Sequence, residues 1–116
     1  MHLTRVLQPQ LCISLAQVAQ FLGISPALIC RIEHWAQILF VHRADRGGLF
    51  LSYRKFAAWV EACAQTIRVC TDLHLLEWLG EVIKAELQRF QYPETTLNYW
   101  RQLWSQQHYK LRLQTA

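Results

Sequence analysis

A glycine followed closely by Ser-Pro constrains the fold of the N-terminal half of this chain more than any other feature. Gly23 is a natural C-terminal stop for a helix, and Ser25-Pro26 supplies an N-cap and a first helical residue. Upstream, Ser14 and Gln17 have the spacing of a capping box, which opens a helix. The sequence therefore predicts two short helices, from about 14 to 22 and from Pro26 to about Gln37, arranged as a helix-turn-helix.

The second predicted helix has two faces. Residues at three- and four-residue steps are expected to pack inward, namely Leu28, Ile32, Trp35 and Leu39. Another face combines small and polar side chains, namely Ala27, Cys30, Arg31 and His34. On that face Arg31 and His34 offer hydrogen bonds to bases or phosphates. The alternative is an ordinary solvated face on a structural helix.

A β-hairpin is predicted next. The apolar run 38–43 is rich in strand-forming residues, Asp45-Arg46-Gly47-Gly48 supplies turn chemistry, and 49–51 is apolar again. Arg43 and Arg46 lie near the predicted tip. After a helix-turn-helix such a hairpin is a wing along the DNA backbone, whereas the alternative is a structural hairpin with two solvated arginines.

Three further helices are predicted. Ser52 caps the first of them, which carries an apolar face through Ile67; the second spans about Leu73 to Phe90, and the third about Thr96 to Leu111. The aromatic residues of the last segment, from Tyr99 to Tyr109, could stack on the bases of a single strand. Such a stripe is more often core or interface. With five Trp, four Tyr and five Phe in 116 residues, we expect an oligomer.

The net charge of +4 is unevenly distributed. Residues 1–70 carry seven Lys or Arg against three acids, whereas residues 71–116 carry five of each. Attraction to the phosphates of a nucleic acid would therefore come from the N-terminal part.

Several classes of protein are disfavoured. No apolar run reaches the roughly 18 to 20 residues needed to cross a bilayer, and the N-terminus does not resemble a signal peptide. Four cysteines fit neither a disulfide framework nor a paired zinc motif, so a reducing cytoplasm is expected. The spacing of Cys63, Cys70 and His74 would suit a soft-metal site across a dimer, but core packing is the preferred explanation. We therefore expect no metal and no cofactor.

An enzyme is not expected either. The chain has no phosphate loop, nucleophile elbow or His-rich metal motif. Glu77 and Glu81 lie one helical turn apart, and Lys84 lies close to Glu81. We expect them to be solvated charges rather than a catalytic carboxylate pair.

The stretch from Ile13 to Pro26 resembles the opening of MerR-type winged-helix proteins and of the related excisionase-like domains. Both begin with a first helix, a Gly, and Ser-Pro leading into a recognition helix. Gly47-Gly48 resembles the wing of this family and 56–67 the helix packed after it, so the resemblance covers residues 12–67. It implies a winged helix-turn-helix, binding of double-stranded DNA, and dimerisation through the helices that follow the wing.

The resulting prediction is a mainly α fold with a small β-hairpin: a winged helix-turn-helix over 1–70 and helical dimerisation over 71–116. The expected function is a cytoplasmic transcriptional regulator, a homodimeric repressor of the kind found beside mobile genetic elements, with no small-molecule effector. The expected DNA-binding residues are Ser14, Ser25, Ala27, Cys30, Arg31, His34, Arg43, Arg46, Arg54 and Lys55. The expected dimer interface is Leu76, Leu79, Val82, Ile83, Trp100, Leu103 and Trp104.

Two alternatives remain open. One is an excisionase-like factor that bends DNA. The other is an adaptor whose winged helix binds protein instead of DNA and whose Trp-rich tail holds a partner.

Overall fold

The computed structural model describes residues 2–7 and 11–115. Its helices are α1 (Leu3–Leu7), α2 (Leu15–Leu22), α3 (Ala57–Arg68), α4 (Leu73–Arg89) and α5 (Glu94–Thr115). Its strands are β1 (Ile29–His34), β2 (Leu39–Arg43) and β3 (Gly47–Leu51), and single 3₁₀ turns cover Pro26–Leu28 and Tyr53–Lys55. The prediction of a mainly α fold with a small β-hairpin is confirmed.

The capping signals around α2 act as predicted. The Ser14 hydroxyl accepts a hydrogen bond from the Gln17 backbone N–H at 3.1 Å, and the Gln17 side chain accepts one from the Ser14 N–H at 2.7 Å. Gly23 ends the helix with a φ of 69°, in the left-handed region that costs glycine least.

The predicted helix from Pro26 to Gln37 is wrong. Ser25 and Pro26 start only a single 3₁₀ turn, after which Ile29 adopts an extended conformation and opens β1. Residues 29–35 contain β-branched, aromatic and Cys or His side chains, which have weak helix propensity and suit strands. Pairing with β2 supplies hydrogen bonds along this segment, so tertiary context decides its conformation. The described residues therefore contain no recognition helix at this position.

The predicted hairpin is confirmed and gains a third strand. The sheet order is β1-β2-β3, with both neighbouring pairs antiparallel. Gly47 begins β3 with a φ of 74°, as the tight turn requires. The register of β1 against β2 shifts between Ile29 and Arg31, which marks a β-bulge at Cys30.

The three C-terminal helices form as predicted, with shifted ends. Ser52 caps the 3₁₀ turn Tyr53–Lys55 rather than α3 itself, whose first residue is Ala57. α5 packs against both α3 and α4, and α1 packs against α3 and α4. Buried side chains form one continuous core from Leu3 to Leu111, so the segments before and after residue 70 share it.

Within the described residues, no helix combines the length and apolar character that a membrane span requires.

Candidate nucleic-acid interface

One face of the sheet is covered by the core and the other is open. The core-facing residues Ile29, Leu39, Val41 and Leu51 are buried. The residues that alternate with them form what we call the outer sheet face: Arg31, Glu33, Phe40, His42 and Phe50, extended by Trp35 just after β1. Strand alternation, reset by the bulge at Cys30, thus places polar and aromatic side chains on one surface.

Glu33 is the centre of the polar part of the outer sheet face. Its Oε2 lies 2.5 Å from His42 Nε2 and 3.5 Å from Arg31 Nη2. Trp35 Nε1 donates to Glu33 Oε1 at 3.3 Å. The hydrogen bond with His42, and then the one with Trp35, lower the pKa of the Glu33 carboxyl. The carboxylate is therefore held charged, while the Arg31 side chain stays 67% exposed.

The aromatic part of this face is a packed trio. Ring centroids of Phe40 and Phe50 lie 4.7 Å apart, and the Trp35 ring lies 5.6 Å from Phe40 and 5.2 Å from Phe50. Gly48 sits beneath the Phe40 ring, where a Cβ atom would lie 2.3 Å from Phe40 Cζ. Trp35 and Phe50 remain 45% and 52% exposed, so the trio presents apolar surface to solvent.

The two arginines of the β2–β3 turn differ in solvent exposure. Arg43 donates to both carboxylate oxygens of Asp45, at 3.0 and 2.9 Å, and its side chain is only 10% exposed. Asp45 raises the pKa of Arg43 through these bonds, and Arg43 lowers that of Asp45. Arg46 is exposed at the tip. Of the two predicted wing contacts, Arg46 is the accessible one.

The remaining predicted DNA-binding residues of the first helices have local structural roles or lie at the surface. Ser14 and Ser25 are N-caps. His34 Nε2 lies 3.1 Å from the Ile13 carbonyl oxygen. Ala27 and Cys30 are exposed, as is Lys55.

Arg54 is not a surface residue available to phosphates, contrary to the prediction. Its Nη2 donates to Glu86 Oε1 at 2.9 Å, and its guanidinium lies 3.6 Å from the centroid of the Phe90 ring. The side chains of Arg54 and Glu86 are 15% and 3% exposed. Burial opposes the charged form, but hydrogen bonding and the charge of Glu86 outweigh it and raise the pKa of Arg54.

Most of the predicted dimer-interface residues line the chain's own core. Leu76, Leu79, Val82, Ile83 and Trp100 are buried, whereas Leu103 and Trp104 are half-buried. The apolar stripe of α4 is thus used inside the chain, against α5 and its neighbours. Any partner would have to meet the opposite side of α4.

The cysteines do not gather with other metal-ligating side chains. Across residues 2–7 and 11–115, no group of three or more His, Cys, Asp or Glu could hold a metal ion. Cys63 is buried, and burial raises the pKa of its thiol. The buried Cys70 thiol donates to the Asp72 carbonyl at 3.4 Å.

Arg31 lies on an exposed surface, as predicted, whereas its neighbours on the outer sheet face were not predicted. Phe40, His42 and Phe50 join it only because β2 lies between β1 and β3. The signal for them was the two-residue alternation within the apolar runs 38–43 and 48–51.

Comparison with protein-family models, with curated proteins and with solved structures finds no match to this chain.

Proposed function

We propose that the protein is a DNA-binding transcriptional regulator that contacts double-stranded DNA through its outer sheet face. The observation that carries the proposal is the open, antiparallel sheet with the exposed side chain of Arg31 on its uncovered face. In this proposal the sheet takes the place of the recognition helix that a winged helix-turn-helix would supply.

The dimensions of the sheet suit a DNA major groove. Neighbouring strands lie about 4.8 Å apart, so three strands span about 10 Å between their outer axes. The major groove is about 12 Å wide and admits a two-stranded β-ribbon, which is the width of two of these three strands. Small β-sheet proteins bind DNA in this way.

The side chains of the outer sheet face offer chemistry for base edges. An arginine donates two hydrogen bonds to guanine, a carboxylate accepts one from cytosine, and a phenyl ring contacts the thymine methyl group. Arg31, Glu33 and Phe50 correspond to these three types. Glu33 is already restrained by His42 and Trp35, which reduces the ordering that binding would require.

Phosphate contacts would come from the cations that stay accessible. Arg46 at the β2–β3 turn and Lys55 after β3 are both exposed. These contacts set the position on the duplex and make affinity dependent on salt.

Four free cysteines, two of them exposed, are consistent with a reducing cytoplasm.

Binding of the purified full chain to DNA from upstream of its own gene, followed by fluorescence anisotropy over a range of salt concentrations, tests the proposal. We expect sequence-selective binding that weakens steeply with salt. Arg31→Ala should cost about 1–3 kcal/mol and relax the preference for the target over random DNA. Arg5→Ala removes an exposed arginine from α1, outside the sheet, and is the matched control.

Equal discrimination by wild type and Arg31→Ala would remove Arg31 from base recognition. Absence of binding even at low salt would refute the proposed function. A large bend in circular-permutation gel shifts would identify an excisionase-like bending factor instead of a simple repressor.

The aromatic trio favours a second candidate function, a protein-binding adaptor. Trp35 and Phe50 are exposed next to Arg31, and Trp, Phe and Arg are enriched at protein interfaces. An adaptor would show no DNA affinity and would lose its protein partner in Trp35→Ala.

A further inference from the structure

The aromatic trio of the outer sheet face is restrained and yet exposed. The Trp35 and Phe40 rings are stacked, with an angle of 13° between their planes. The Phe50 ring meets the rings of Trp35 and Phe40 at steep angles of 66° and 63°. These mutual contacts restrain all three rings, while Trp35 and Phe50 keep 45% and 52% of their surface exposed. The sheet therefore presents preordered aromatic surface to a ligand.

A DNA duplex uses only part of such a surface. Its bases are stacked on one another, and only their edges reach the grooves. The bases of a single strand can unstack and place their faces on the rings of Phe or Trp side chains. Small β-sheets with exposed aromatic side chains bind single-stranded RNA in this way.

We propose that the outer sheet face binds single-stranded nucleic acid, with unpaired bases stacked on Trp35 and Phe50. This inference goes beyond the proposed function: it uses the same surface but needs no duplex. The ligand class is an unpaired strand of DNA or RNA, because both carry the bases that stack.

Cations lie where the backbone of such a strand would pass. Arg31 is on β1, on the same face as the rings, and its side chain is 67% exposed. Arg46 is exposed at the turn between β2 and β3, and Lys55 is exposed after β3. A strand that crosses the sheet could thus place its phosphates near positive charge while its bases meet the rings.

Glu33 is the only acid among the residues that form the outer sheet face. It accepts a hydrogen bond from Trp35 Nε1 at 3.3 Å, so its carboxylate lies beside the indole on which a base would stack. An ionised carboxylate only accepts hydrogen bonds. It therefore repels phosphates and favours a base with an exposed amino group, such as N4 of cytosine, over thymine, which presents O4 at that position.

The aromatic residues of α5 are less suited to stacking on bases. Trp100 is buried, and the half-buried Trp104 is stacked on His108 with ring centroids 4.6 Å apart. Of the two aromatic segments, the sheet is thus the one that presents a group of neighbouring exposed rings.

Fluorescence anisotropy of the full chain with two labelled strands tests the proposal without any mutation. One strand is oligodeoxycytidine of about 12 nucleotides, within the usual range of single-strand site sizes. The other has the same length and the same phosphates but carries no bases. The wild type should bind oligodeoxycytidine at least about tenfold more tightly, which is the effect of one stacked base. Equal affinity for both strands would overturn the proposal, because only phosphates would then be bound.

Trp35→Leu and Phe50→Leu keep an apolar side chain but remove the aromatic ring. Each should raise the dissociation constant for oligodeoxycytidine about tenfold and leave that for the strand without bases unchanged. Trp35→Phe should restore most of the affinity. Trp78→Leu removes a tryptophan on α4 that is 41% exposed and is the matched control, with wild-type binding expected.

Circular dichroism verifies that each variant is folded. Wild-type affinity in both leucine variants of the sheet would overturn the proposal. If a leucine variant fails to fold, the comparison of the two strands on the wild type still decides.

Oligodeoxythymidine of the same length tests the role of Glu33. The wild type should bind it about threefold less tightly than oligodeoxycytidine, the effect of a modest hydrogen bond. Glu33→Gln should reduce this difference, because an amide also donates hydrogen bonds and so accepts either base. Equal affinity of the wild type for the two strands would overturn this role of Glu33.

Oligoribocytidine of the same length distinguishes the two sources of an unpaired strand. Tighter binding of the ribose strand assigns RNA as the ligand, and tighter binding of the deoxyribose strand assigns DNA.

The same titrations separate this inference from the proposed function. Binding of single strands without binding of a duplex would refute the proposed function and leave this inference standing. Binding of a duplex, with no gain from the bases of a single strand, would do the reverse. Binding of neither would overturn both.

Discussion

Arg54 and Glu86 lie 32 positions apart in the sequence and form an ion pair that is shielded from solvent. Glu86 also accepts a hydrogen bond from the Tyr92 hydroxyl, which in turn accepts one from Trp59 Nε1 at 2.9 Å. Burial, followed by the contacts with Glu86, raises the pKa of Tyr92, so this hydroxyl keeps its proton. The network joins the segment after β3 to α3, α4 and the connection before α5.

Glu86→Gln should destabilise the protein by about 3 kcal/mol, because Arg54 would be left buried without a charged partner. The free energy of unfolding from urea titrations measures this. Glu61→Gln is the matched control: the Glu61–Arg68 pair has an N···O distance of 3.8 Å, and its side chains are 61% and 43% exposed. That substitution should cost less than about 1 kcal/mol. Equal costs for the two variants would mean that water reaches the Arg54 guanidinium.

Acid should destabilise the sheet partly through Glu33. Its pKa in the folded protein is below the ordinary value of 4.5, chiefly because of the hydrogen bond with His42. Because this pKa is lowered on folding, Glu33 stabilises the folded protein above pH 4.5. The stabilisation is lost as the pH falls toward the pKa of Glu33 in the folded protein. The urea midpoint of the wild type should therefore fall more between neutral pH and pH about 3 than that of Glu33→Gln.

Glu94→Gln, at the exposed start of α5, controls for the loss of one negative charge from the chain. Parallel pH curves for the wild type and Glu33→Gln would show that the contact with His42 does not persist in solution.

Gly48 should not tolerate a side chain while Phe40 covers it. Trp35, Phe50 and His42 pack around the Phe40 ring, so it cannot rotate freely away from a new Cβ. We expect Gly48→Ala to cost about 1–3 kcal/mol, as overpacking does. In a Phe40→Ala background the same substitution should cost less than half as much, and a double-mutant cycle with urea unfolding measures the coupling.

Gly47 provides the comparison for this cycle. A Cβ there meets nothing within 4 Å, but the φ of 74° disfavours alanine by about 1 kcal/mol. Gly47→Ala should cost the same with or without the Phe40 ring. If Gly47→Ala were coupled to Phe40→Ala as strongly as Gly48→Ala is, the turn rather than the ring contact would be responsible.

The parts of the fold that local signals determine were predictable from the sequence. The capping box at Ser14, the stop at Gly23 and the apolar periodicity of the last three helices all act within a few residues of their position. The turn chemistry at Gly47-Gly48 likewise placed β2 and β3 correctly.

Two features depend on distant contacts and could not be predicted. The segment 29–34 has apolar residues at spacings that fit a helix, and only pairing with β2 and the bulge at Cys30 make it a strand. Arg54 looked like a surface cation because its partner, Glu86, lies on α4. For the candidate site, the sequence identified Arg31 and the exposed Arg46, but the neighbours of Arg31 follow from sheet order alone.

Gly80 is a place where helix propensity and packing oppose each other. Replacing a glycine inside a helix by alanine favours the helix by about 1 kcal/mol. Here the new Cβ would lie 2.8 Å from Trp104 Nε1, and the indole is fixed by its bond to the Leu76 carbonyl and by stacking on His108 at a centroid distance of 4.6 Å. We expect packing to prevail, with a net loss of about 1–2 kcal/mol in urea unfolding.

The sign of this effect should reverse when the indole is removed. In a Trp104→Leu background, Gly80→Ala should stabilise the protein by up to about 1 kcal/mol, because only the helix propensity term remains. Comparison of the two backgrounds isolates the contact between α4 and α5 from the propensity of α4 itself. If Gly80→Ala already stabilises the wild type, the Trp104 indole moves aside at little cost. The contact between α4 and α5 would then be less rigid than the hydrogen bond and the ring stacking of Trp104 indicate.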